Sequence, residues 1–294
     1  MWLTYVLVSA FILSFFDLSR KSAIKDNPLW PVLALSNCFG ALFVTGLYLA
    51  LGWLGGAVAV SAHNCWLLFL KSCLVTVEWS CTFYALRALP ISSCVPVNAS
   101  SPLWTLIGAI IVFHEIPSPL QGLGMLAIIA GYWLFAVAGK SEGINIFRTK
   151  GIIVCFIGVI AGACSAVFDK FLLQGCGVTP EQMQFWFTID MAAIASAIAL
   201  GLTAASRRKT GAERPRLKFR WTLLAIGVFL AVSDLLYFKT VAMPGAMISV
   251  VTLLRRLNVV FTFVLGAMLF HEHNIKSKAL ALAAIIAGAI LLSL

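Results

Sequence analysis

Ten stretches of about 20 predominantly apolar residues follow one another along the chain, separated by short segments rich in Pro, Gly and charge. The hydrocarbon layer of a bilayer is about 30 Å thick, and about 20 residues of α-helix cross it. Backbone N–H and C=O groups find no water there, so each stretch must pair them internally, as a helix. Segments of strand length that alternate in polarity, the mark of a membrane barrel, are missing from the sequence. The predicted spans run roughly over 2–23, 30–52, 65–88, 90–112, 118–138, 150–172, 181–204, 220–242, 244–268 and 275–294. The residue content agrees: 61% is hydrophobic and 11% charged, against about 25% charged in a soluble domain. The expected fold class is an all-α membrane protein with ten transmembrane helices.

The formal net charge of +10 does not point to nucleic acid. The basic residues form short clusters between apolar runs, with no aromatic-and-basic stretch, and Lys and Arg collect in cytoplasmic loops as orientation signals. Loops 1–2, 5–6, 7–8 and 9–10 hold most of them, including Arg20, Lys21, Lys25, Lys140, Arg148, Lys150 and the run Arg207 to Arg220. Loops 2–3 and 4–5 hold none. This bias places both termini outside the cytoplasm. The cysteines lie mostly inside apolar stretches, form no C-x-x-C pair, and are expected to be small buried side chains. The first apolar run has no basic segment before it and no clear cleavage site, so it is expected to be a retained span.

The chain also repeats itself. "VFHEIPSP" follows the fourth span and "LFHEHNIK" the ninth, with Glu115 and Glu272 157 positions apart. The same offset carries "AIIAG" at 127–131 onto "AIIAG" at 284–288. Asp17 and Asp169, and Pro90 and Pro244, are matched at offsets of 152 and 154. Four landmarks in one order describe a duplicated unit of five helices, residues 1–145 and 146–294. An odd number of spans per unit inverts the second unit, and inverted repeats are a carrier architecture with the substrate site between the halves.

The segment "ALRALPISSCVPVNASSPLWTLIGAIIVFHEIPSPLQGLGMLAIIAG", and its counterpart "VVTLLRRLNVVFTFVLGAMLFHEHNIKSKALALAAIIAGAIL", resemble the half-repeat of the EamA-like branch of the drug/metabolite transporter superfamily. The likeness spans essentially the whole chain. It implies a ten-helix secondary carrier in a bacterial cytoplasmic membrane, working by alternating access on amino acids, amines, sugars or similar metabolites. Many members of that branch are thought to keep both termini inside, opposite to what the charges say here.

Ionisable residues inside spans cost roughly 2.5–3.5 kcal/mol on insertion scales, so they are paired or used. Thr252, Arg255, Asn258 and Thr262 fall on one helical face by 3- and 4-residue spacing. Repeat alignment sets Asn98 over Thr252 and Ser101 over Arg255, giving a matching stripe with Thr105. The two stripes are expected to face each other across a pocket, with Arg255, Thr252, Asn258, Asn98 and Ser101 as substrate-binding candidates. Two readings of Arg255 stay open: it holds an anionic substrate group through its planar fork, or it is a structural ion-pair partner of Glu78, Asp190 or Asp234. Arg256 points about 100° away and is expected to need its own acid. Glu78 and Asp234 are candidates for proton coupling or ion pairing. Asp17 and Asp169 are candidates for a gate on each side, or for interfacial charge pairs.

The paired "FHE" turns invite a metal or hydrolytic reading, but His271 and His273, two apart, do not share a helix face. Glu115 and Glu272 are expected to lie in polar turns beside the membrane surface, binding free N–H groups at the next helix start. No metal and no cofactor is expected. A membrane enzyme acting on lipid-linked substrates would need a cluster of nucleophile, base and orienting group, which the sequence does not display. A non-transporting scaffold is a further alternative. The expected partners are a small-molecule substrate and the lipid bilayer, with the chain a monomer or homodimer.

Overall fold

The computed structural model describes residues 2–24, 27–88, 97–98, 100–137, 150–210, 218–270 and 275–293. Pro90, Pro96, His271, Glu272, His273 and the expected unit boundary at 145 lie outside the described residues. The described chain is all helical: α1 Trp2–Ile24, α2 Leu29–Ala50, α3 Leu54–Val58, α4 Ala62–Ala88, α5 Ser101–Phe113, α6 Pro119–Val137, α7 Lys150–Lys170, α8 Pro180–Thr210, α9 Trp221–Ala242, α10 Ile248–Arg255, α11 Asn258–Phe270 and α12 Ile275–Ser293. Among the described residues six helices are long and apolar enough to cross a membrane: α1, α2, α4, α8 and α9, and α7 continued by a π-helical turn at Phe171–Gly175. Helices α5, α6 and α12 are apolar but shorter. Large apolar side chains such as Ile111, Leu126, Leu200 and Leu280 face outward, as do Trp53, Trp66, Trp133 and Trp221. That surface suits lipid rather than water.

The helices pack in pairs: α1 on α9, α2 on α8, α4 on α7, α5 on α10 and α6 on α12. The α6–α12 crossing brings backbones into contact. A Cβ on Gly124 would lie 2.7 Å from the Gly288 carbonyl oxygen, and one on Gly288 would lie 2.6 Å from the Gly124 carbonyl oxygen. Without water to drive helices together, close backbone approach at small residues is how spanning helices associate.

The ninth span departs from the expected single helix. It is two helices, α10 and α11, joined at Arg256 and Leu257. The Arg256 N–H donates to the carbonyl of Leu253 at 3.1 Å and the Leu257 N–H to that of Leu254 at 3.0 Å. These are three-residue steps, tighter than an α-turn. Neither Pro nor Gly stands at the break. The helix expected to run unbroken through this region instead ends at Arg255 and restarts at Asn258.

Polar side chains tie the loops at one end of the bundle. Gln182 donates to the carbonyls of Gly56 and Ala59, Gln174 to those of Val241 and Met243, and Lys239 pairs with Glu181 at 3.3 Å. At the other end Asn27 exchanges bonds with the Lys218 backbone.

Candidate functional site

Between the helix pairs lies a cavity of about 550 Å³. All nine residues singled out from the sequence line it: Asp17, Glu78, Asn98, Ser101, Asp169, Asp234, Thr252, Arg255 and Asn258. Arg20, Lys71 and Arg256 line it as well. Among the described residues four carboxylates thus face four cations inside an apolar bundle, and their formal charges balance.

The α10–α11 break and the head of α5 bring the two polar stripes to this cavity. Pro102, in the first turn of α5, has no N–H to leave unpaired there. The Thr252 hydroxyl donates back to the Ile248 carbonyl at 2.8 Å, while Asn258, opening α11, donates to Asp17 at 2.7 Å. Asn98 accepts from Arg256 at its carbonyl, 3.4 Å, and from the Cys155 thiol at its side chain, 3.7 Å. Arg256 lines the same cavity as Arg255.

Arg255 pairs with Asp234 and lies over the Tyr237 ring, 4.2 Å from its centroid. Of the acids weighed as partners of Arg255, Asp234 is the one it contacts. Tyr237 joins this pair to a second one: its hydroxyl donates to Asp169 at 3.2 Å, and Asp169 pairs with Lys71 at 3.1 Å. The Lys71 ammonium also sits 3.8 Å from the Phe187 centroid and 5.2 Å from that of Phe238. A buried ammonium with a carboxylate and two aromatic faces has exchanged its water shell for fixed partners.

The third pair is Asp17–Arg20, at 3.2 Å, one turn apart on α1. Glu78 differs from the other three acids: among the described residues no side chain stands within hydrogen-bond or ion-pair distance of its carboxylate. Its carboxyl group rests on Gly162 of α7, where an added Cβ would lie 2.6 Å from the carboxyl carbon. Asp190, weighed as a partner of Arg255, is not at the cavity wall; it accepts from Ser72 at 3.4 Å.

Lys71 was missed from the sequence. It stands only a few residues inside the third predicted span. In the fold it is 2% exposed. The available signal was its spacing of seven from Glu78, two turns along one helical face. Asp169 and its neighbour Lys170 were read as adjacent charges, but adjacent helical residues diverge. Asp169 faces the cavity, whereas Lys170 reaches Glu115 at 2.7 Å.

Glu115 is the second departure. It lies in the turn after α5 as expected, but its side chain is buried, and the N–H groups it binds belong to a distant helix. Its carboxylate accepts from the Ile248 N–H at 2.9 Å, the Ser249 N–H at 3.4 Å and the Ser249 hydroxyl at 2.9 Å, at the start of α10. A carboxylate at a helix N-terminus satisfies donors that have no partner inside the helix. His114 precedes it in the left-handed region, with φ 53°, which turns the chain inward after α5.

Residues 1–137 match the family model of the EamA-like transporter family. A solved chain described as "Crystal structure of protein" is 18% identical, covers 98% of this chain and 95% of its own, and superposes with a TM-score of 0.76, so the two share a fold. No curated protein matches the chain significantly.

Proposed function

We propose, from the match of residues 1–137 to the model of the EamA-like transporter family, that this multi-pass membrane protein is a secondary carrier, in a bacterial cytoplasmic membrane, that exports a small polar metabolite. It works by alternating access between two inverted five-helix units, residues 1–145 and 146–294. The observation that carries this is the charge-lined cavity of about 550 Å³ within an apolar bundle. A cavity of that size takes a small molecule and leaves room for its water.

The packing supports the two-unit reading. Inversion about a two-fold axis exchanges α1 with α7 and α4 with α9, so it turns the α1–α9 contact into the α7–α4 contact; both are present. The α2–α8, α5–α10 and α6–α12 contacts join each helix to its own counterpart. The glycines agree: Gly131 packs on Ala281 and Ile285, while Gly288 packs on Gly124 and Ile128. Every one of those residues maps onto its counterpart at the offset of 157.

Arg255, Thr252, Asn258, Asn98 and Ser101 bind the substrate in this scheme. Asp234 holds Arg255 in place, and Glu78 is the group that answers to a proton or to a cationic substrate group. Asp17 and Asp169 tie the cavity wall together between the two open states. The substrate carries no net charge, since a charged one would unbalance a wall of four acids and four bases in a low-dielectric layer. A screen of zwitterionic, neutral, cationic and anionic metabolites in proteoliposomes tests this. Flux of a net-neutral compound is expected; flux of none of the four classes refutes the carrier, and flux of anions alone refutes the charge argument. Glu78→Gln is expected to lower transport at least tenfold with little change in melting temperature, because among the described residues no cation stands within ion-pair distance of its carboxylate. A large melting shift instead would make Glu78 a structural group.

A further inference from the structure

We propose that Glu115, Lys170 and the first turn of α10 form a latch that seals one end of the cavity and parts when the cavity opens there. This rests on the carrier reading above. The latch is drawn from both halves of the chain. Glu115 comes from the turn after α5; Lys170 ends α7; Ala246, Ile248 and Ser249 come from the start of α10. Lys170 donates to Glu115 at 2.7 Å and to the Ala246 carbonyl at 2.9 Å, and Glu115 accepts three further bonds from Ile248 and Ser249. Both charges are buried, Glu115 at 7% and Lys170 at 9% exposure.

Its position follows from the helices. Thr105 and Thr252 line the cavity. Phe113 lies two turns beyond Thr105 on α5, and Ile248 one turn before Thr252 on α10, so the latch stands roughly 6–12 Å outside the cavity on one side. In the opposite direction α10 leads through Arg255 to Asn258, Asp17 and Arg20. Lys170 also adjoins Asp169, so a shift of the Asp169–Lys71 pair at the cavity wall moves the latch cation on the next residue. The π-helical turn that begins at Phe171 gives this end of α7 a register that rearranges readily.

The counterpart of this latch at the other end has fewer donors by sequence. At the repeat offsets Lys170 falls on Leu18 and Ser249 on Val95, so the sequence puts neither a cation nor a hydroxyl at the positions that match them. The cavity rests closed on the side of Glu115.

Side-resolved thiol labelling tests this without relying on transport. The native cysteines are replaced by Ala, and Ala166→Cys serves as the reporter, since Ala166 lines the cavity. His63→Cys, at an exposed position before the body of α4, marks the latch side. A membrane-impermeant methanethiosulfonate added from that side is expected to label Ala166→Cys slowly. Glu115→Gln and Lys170→Met are expected to speed labelling about tenfold, and Lys170→Arg to leave it slow. Ser249→Ala removes one bond only and should speed labelling less, which keeps the test open where a stronger variant does not fold. A rise below threefold in every folded variant overturns the latch. Faster labelling in a protein that moves no metabolite upholds the latch and refutes the carrier.

Discussion

The cavity is held differently at its two ends. At the Glu115 end, a carboxylate and an ammonium are both buried, and every bond they make crosses between chain segments more than 50 positions apart. At the Asp17 end, the ion pair is one turn apart on a single helix, and its side chains are 37% and 21% exposed. The Asn258 amide, 2.7 Å from Asp17, ties that pair to the second half of the chain, and beyond it Asn27 bonds the Lys218 backbone and Arg220 the Ser22 carbonyl. The first arrangement fixes helices relative to one another. The second fixes a side chain on its own helix. The charged pairs at the two ends are therefore unequal in burial and in reach.

The largest expected effect comes from breaking the stronger end. Lys170→Met leaves the Glu115 carboxylate buried with its charge uncompensated, and removal of one member of a buried pair costs roughly 3–5 kcal/mol. Melting of the detergent-solubilised protein should fall well below that of the parent. Glu115→Gln combined with Lys170→Met removes both charges and should recover much of the loss. If the double variant melts as low as the single one, the charges are not coupled as the 2.7 Å contact indicates.

An intermediate effect is expected between the ends, at Asp234. Asp234→Asn leaves Arg255 on the Tyr237 ring but without its carboxylate. Both partners still touch the cavity and its water, so the loss should be smaller, about 2 kcal/mol. Arg255→Lys keeps the charge but not the planar stacking on Tyr237. Transport should fall more steeply than melting in Arg255→Lys if the guanidinium meets substrate. Equal transport in Arg255→Lys and the parent would leave Arg255 as an ion-pair partner alone.

The sequence made the helices legible because a single physical constraint, backbone pairing in hydrocarbon, acts on every span at once. The cavity residues were legible for a related reason: Arg255 and the acids stand deep in apolar runs, where charge is costly. The α10–α11 break was not legible. It contains no Pro or Gly, and the side chain of Arg256 in the tightened turn bonds the Asn98 carbonyl, which is distant in sequence. Lys71 was hidden by its closeness to a span boundary, where long basic side chains ordinarily reach water. The depth of Glu115 was hidden because "FHEIP" reads as a polar turn, and its burial depends on Lys170 and Ser249, which are distant in sequence.

The smallest expected effect is at the weaker end, and it decides whether the inequality is real. Arg20→Met removes a cation that is more than one-third exposed and interacts with Asp17 one turn back on the same helix. Exposed pairs of this kind contribute about 0–1 kcal/mol. Asp17 keeps the Asn258 amide and faces the cavity, so its charge is not stranded. Melting should therefore shift far less than in Lys170→Met, and raising the salt concentration should shrink the difference between Arg20→Met and the parent further. Transport is the sharper readout. A weak end that opens readily should tolerate Arg20→Met with little loss of flux. If Arg20→Met destabilises the protein as much as Lys170→Met does, the two ends are equally strong, and the cavity has no preferred side on which to rest closed.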